Sequence, residues 1–116
     1  VDDWEASSQI KYLAEELSKY KCELDSLHTS FIARSNRKPY VEAHHLIPYS
    51  KRNIFDVNID TIENLVTLCP VCHKKIHAGL EEEVKSMIDV LLSIKKDALK
   101  SSGIEVSKEE IYRYYL

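Results

Sequence analysis

His73 and His77 stand four residues apart, and on a helix that spacing sets both imidazoles on one face, where they can close on a single ion. His44 and His45 are adjacent at the end of a stretch that reads as extended, so their side chains point in different directions. Such a pair is poorly placed to share one metal. It is well placed to divide labour, with one ring completing a three-histidine metal site and the other facing a water. Asn64 lies between the two pairs in sequence, and every histidine except His28 belongs to this constellation.

The second constellation is built on sulfur. Cys22, Cys69 and Cys72 cannot make a complete set of disulfides, and two of them form the C-x-x-C of CPVC. A thioredoxin-like redox role expects strand and helix alternating in a parallel sheet, a pattern this chain does not show, so metal chemistry is the better reading. A closed zinc site takes four tetrahedral ligands, which leaves one to find. The position three residues after Cys22, where a further cysteine would complete a common pattern, is Asp25. His28 is the stronger candidate, because imidazole suits zinc and a lone carboxylate is uncommon in structural sites. In so small a domain such a staple contributes folding free energy directly. The plain alternative is three buried thiols with no metal.

The elements that must position these residues follow from periodicity. Ile10, Leu13, Ala14, Leu17 and Tyr20 recur at helical steps and predict an amphipathic helix from about Ser7 to Tyr20, leading to Cys22. The segment from His28 to Lys38 reads as a loop, Tyr40 to Ile47 as extended with Pro48 as a breaker, and Leu65 to Leu68 as a second short strand. Between them, Tyr49 to Ile62 reads as a polar loop. A helix is expected from near His73, with Gly79 as an interruption, continuing along Val84, Met87, Leu91 and on to about Lys100. Ser107 and Glu110 form a capping box that opens a short last helix. Val84, Met87, Ile88, Leu91, Leu92, Ile94, Ala98 and Leu99 make a wide apolar face, expected to pack on the core and the first helix, with a homodimer interface as the other use. Tyr112, Tyr114 and Tyr115 read as packing residues.

With 116 residues, 44% hydrophobic and 30% charged, the chain fits one domain with a modest core. Nothing in it resembles a membrane span or a leader, so a cytoplasmic location is expected, and a start at Val1 rather than Met suggests a piece of a longer protein. A net charge of -3 excludes a generally basic nucleic-acid coat. The distribution is uneven, however: Arg34, Arg37, Lys38, Lys51 and Arg52 face only Glu42 across residues 31–53, which allows a local cationic face.

The segments EAHHLIPYS and ENLVTLCPVCHKKIH, at this spacing, resemble the HNH endonuclease family, with Asn64 as the middle letter. CELD upstream and KPYVEAHHLIP are similar to the nuclease domains of bacterial modification-dependent restriction enzymes. The resemblance implies an α+β fold with a small ββα-metal core and a structural zinc, flanked by N-terminal and C-terminal helices, as one nuclease domain (1–21 helix, 22–78 core, 79–116 helices). It implies His45 as general base, His44, His73 and His77 as ligands of a catalytic ion, and Asn64 as a brace on the loop between the strands. Cys22, His28, Cys69 and Cys72 would hold Zn²⁺. The catalytic ion would be Mg²⁺, Mn²⁺, Ni²⁺, Co²⁺ or Zn²⁺, since histidine ligation accepts the later metals and magnesium can fill its shell with water and phosphate oxygens. DNA is the implied substrate, gripped at its phosphates by Arg34, Arg37, Lys38, Lys51, Arg52, Lys74 and Lys75, with target choice left to a recognition domain elsewhere in the full-length protein. A zinc-stapled DNA-binding or protein-interaction module without catalysis is the main competing reading, and a zinc hydrolase of small molecules a third.

Overall fold

A computed structural model describes residues 7–116, so the first six residues of the expected N-terminal segment lie outside the described residues. Helix α1 spans Ser8–Leu17, with the Ser7 hydroxyl accepting from the Ile10 N–H at its start. It stops three residues short of Tyr20. Lys19 and Tyr20 adopt left-handed backbone (φ 59° and 58°), a costly conformation for non-glycine residues that turns the chain sharply toward Cys22.

Strand β1 (Glu42–His45) pairs antiparallel with β2 (Leu65–Leu68), His44 opposite Val66 and His45 opposite Leu65. This two-stranded ribbon is the only sheet among the described residues. Ahead of β1, residues 31–40 fold back on themselves through an isolated bridge between Ile32 and Pro39, so the expected loop is a tight hairpin with Arg37 (φ 60°) near its tip. The connection between the strands is not a uniform polar loop either. It holds two short 3-10 turns, Tyr49–Ile54 and Ile62–Asn64.

Helix α2 (Pro70–Ala78) begins three residues earlier than periodicity predicts. Cys69 is its N-cap, the sulfur accepting from the Cys72 N–H at 3.4 Å, and Pro70 occupies the first turn, where its missing N–H costs nothing. It ends at Gly79, whose backbone is extended, and only glycine fits there because a Cβ would meet the Lys75 carbonyl oxygen at 2.7 Å. The continuation is the separate helix α3 (Glu81–Ser101), whose first turn carries Glu81, Glu82 and Glu83 against the positive end of its dipole. Helix α4 (Lys108–Tyr115) opens on the Ser107–Glu110 capping box.

The core joins Leu46, Ile47, Ile59, Val66 and Leu68 to Ile76 on α2, to Val84, Ile88, Leu91 and Leu99 on α3 and to Ile111 on α4. Most of the expected apolar face of α3 is therefore internal, whereas Ile94 is half exposed at a groove shared with Ala14 and Leu17 of α1. No described helix is long and apolar enough to cross a membrane. The result is an α+β domain with a ββα arrangement of β1, β2 and α2, in which α1 packs on both strands and α3 packs on α2 and α4.

Candidate metal and catalytic site

At the start of α2, the Cys69 cap and the turn after α1 bring Cys22, His28, Cys69 and Cys72 together, their donor atoms all within 4.8 Å of one another. His28 Nδ1 lies 3.3 Å from the Cys72 sulfur and 3.9 Å from that of Cys69. Asp25 is not in this set. Its carboxylate sits 3.6 Å from the other ring nitrogen of His28, on the outer side of the imidazole, and accepts from the Leu27 N–H at 2.9 Å. Three sulfurs and an imidazole are a donor set that fits zinc, and these four residues could hold it. Burial pushes the Cys22 thiol up, but hydrogen bonds from the Cys69, Asp25 and Leu24 backbone and from His28 outweigh it and leave the group lowered to about 7. Cys72 is pushed up to about 12 by burial and by Cys69 and Cys22 beside it. Three thiolates this close repel one another, and a cation relieves that repulsion.

The second cluster lies where β1 meets α2. His44, His73 and His77 offer nitrogen atoms within 4.8 Å of one another, the rings meeting at centroid distances of 4.9 to 5.3 Å. Burial, then the neighbouring His73, His77 and His45, hold His44 well below the usual histidine range. His77 is lowered by burial, His73 and Lys74. Both rings are therefore kept neutral, the form in which imidazole ligates metal. Each of two rings is also oriented from behind. His73 Nδ1 donates to Glu42 Oε1 at 2.9 Å, while Glu42 Oε2 accepts from the Tyr40 hydroxyl at 2.8 Å. His44 Nε2 meets the Tyr115 hydroxyl at 2.7 Å.

His45 points the other way from its neighbour, as strand alternation requires. Its Nε2 lies 2.9 Å from Asp60 Oδ1, and the other oxygen of Asp60 accepts from the Ser7 N–H at 2.8 Å. The ring packs beside Tyr49 at 5.3 Å, and the residue keeps 8% of its surface exposed. Asn64 is wholly buried. Its side chain accepts from the Ile47 N–H at 2.9 Å and donates to the carbonyls of Ile47 and Ile59, both at 3.0 Å, closing the loop that follows His45 on itself.

Of the basic residues, Arg34, Arg37 and Lys38 are exposed on the 31–40 hairpin, and Lys74 is exposed on α2 between the two helix histidines. Lys75 pairs with Glu83 at 2.9 Å. Arg52 donates to the Tyr49 carbonyl at 3.1 Å and stacks over that ring at 4.5 Å, and Lys51 beside it is half-buried. Sequence reasoning missed Glu42, Asp60 and Tyr115 as partners of the histidines. A signal existed for Glu42 alone, since it shares the strand face of His44 two residues away.

Residues 29–79 match the family model described as HNH endonuclease. The Type IV methyl-directed restriction enzyme EcoKMcrA of Escherichia coli (strain K12) is 40% identical over 53 residues, 46% of this chain and 17% of that protein. Anaredoxin of Nostoc sp. (strain PCC 7120) is 53% identical over 36 residues, 31% of this chain and 41% of that protein. The chain thus spans less than half the length of either relative. Paired strands carrying His44 and His45, a helix carrying His73 and His77, and Asn64 closing the loop between them all fall inside residues 29–79, the segment that matches the HNH endonuclease family model.

Proposed function

We propose that this domain hydrolyses phosphodiester bonds of DNA, as the cutting module of a restriction or defence enzyme. The observation that carries the reading is the convergence of His44, His73 and His77 on one point, with His45 turned away from it on the same strand. A divalent ion held by the three imidazoles would offset the charge that builds on the phosphate oxygens in the transition state. His45 is the general base in this reading. An ionised carboxylate only accepts, so Asp60 accepts a hydrogen bond from His45 Nε2–H, which keeps the proton on that nitrogen and leaves the lone pair on Nδ1, ready to draw a proton from water. Asn64 fixes the loop that follows His45. Cys22, His28, Cys69 and Cys72 hold a structural zinc that ties the α1 turn to the start of α2. Arg34, Arg37, Lys38 and Lys74 contact phosphates, which supplies affinity without base readout, so target choice belongs to another domain of the full-length protein. Three free cysteines suit a reducing cytoplasm.

One observation favours a second reading, a zinc-stapled DNA-binding module that does not cut: His45 has only 8% of its surface open to water. Plasmid nicking separates the two. Protein stripped by a mild chelator is expected to leave supercoiled DNA intact and to nick it once Mg²⁺, Mn²⁺, Co²⁺ or Ni²⁺ is returned. Protein that binds DNA but cuts with none of these ions would establish the second reading.

A further inference from the structure

Tyr115 lies in the last turn of α4, well beyond the matched segment 29–79, yet its hydroxyl reaches the three-histidine cluster. That oxygen is 2.6 Å from the Leu46 carbonyl, 3.2 Å from the His45 carbonyl and 2.7 Å from His44 Nε2. Contacts of 2.6 and 2.7 Å between electronegative atoms each require a hydrogen in between. A carbonyl has none to give, so the single phenolic proton goes to Leu46. The hydrogen in the other contact must then come from the imidazole.

We infer that Tyr115 is a positioning residue for the metal site: it accepts from His44 Nε2–H, locks that tautomer, and leaves Nδ1 as the lone-pair nitrogen for an ion shared with His73 and His77. The inference rests on the metal reading given above. A parallel arrangement supports it, because Glu42 fixes His73 in the opposite tautomer by accepting from Nδ1–H, which leaves Nε2 as the donor. The Tyr115 ring also packs against both His44 and His77, at 5.9 and 6.1 Å between centroids. The C-terminal helix, docked by Ile111 in the core, thereby becomes part of the metal site.

Two measurements on this chain test the inference. In the nitrogen NMR spectrum of histidine-labelled wild type with the three-histidine site emptied, His44 is expected to carry its proton on Nε2. The Tyr115→Phe variant, which removes only the hydroxyl, is expected to lose that preference and to bind Co²⁺ or Ni²⁺ at this site about 10–100-fold more weakly by calorimetry, with its cysteine-bound zinc retained. A wild-type His44 protonated on Nδ1 would overturn the inference, as would a variant whose affinity stays within about twofold. The wild-type spectrum decides the matter even if the variant does not fold. Wild type that binds no ion at all would fail the metal reading and this inference together, whereas unchanged binding in the variant fails the inference alone.

Discussion

Asp60 Oδ1 sits 2.9 Å from His45 Nε2, in a pair that is almost closed to solvent and is held at its far end by the Ser7 N–H. Because the carboxylate can only accept, replacing it with an amide removes the preference for one tautomer: the amide can donate to Nε2 as readily as accept from it. Asp60→Asn is expected to slow DNA cleavage by about 10–100-fold, part of what a general base contributes, while metal affinity stays unchanged. Single-turnover cleavage beside calorimetry checks both halves of this expectation.

The cysteine cluster predicts unequal effects for two neighbouring residues. His28 lies inside the donor set and Asp25 outside it, against the far ring nitrogen. His28→Ala should lower zinc content and melting temperature together, whereas Asp25→Ala should lower both less. Elemental analysis and thermal unfolding provide the comparison, and the reverse ranking would make Asp25 the ligand.

Asn64→Ala strips three hydrogen bonds from a fully buried position and leaves the Ile47 N–H and two carbonyls without partners. Each orphaned buried group costs roughly 1–3 kcal/mol, so a loss of at least ~2 kcal/mol is expected in urea unfolding. A loss below about 0.5 kcal/mol would show that the loop does not depend on this side chain.

Burial raises Glu15 on α1 above its ordinary value. A carboxyl whose folded value exceeds the unfolded one disfavours the folded state when ionised, so the penalty is full above the folded value and fades as pH falls through it. Glu15→Gln should therefore melt higher than wild type at pH 7, and the gap should narrow toward pH 4. Melting curves across that range test it.

The two clusters that could hold metal were legible because metals demand particular donors at particular spacings, and Cys69/Cys72 or His73/His77 satisfy those demands locally. The start of α2 was not, because its first turn is set by a cysteine cap and a proline rather than by apolar periodicity. The early end of α1 depends on two left-handed residues, neither of them glycine, that carry no turn signal in sequence. Tyr115 reaches His44 across 71 positions, and a tyrosine in an amphipathic helix looks like packing until the fold brings its hydroxyl to a ring nitrogen. Asp60, 15 positions from His45, is one of several acidic and amide residues in a loop whose path no local pattern dictates.

In the proposed reaction His45 takes a proton from the attacking water while its neighbour His44 serves the ion. Cleavage rates of wild type and His45→Ala, compared on supercoiled plasmid at saturating Mn²⁺ or Ni²⁺, test it most directly. A fall of about 10²–10⁴-fold is expected, with metal binding retained. A His45→Ala protein that cuts as fast as wild type would contradict it.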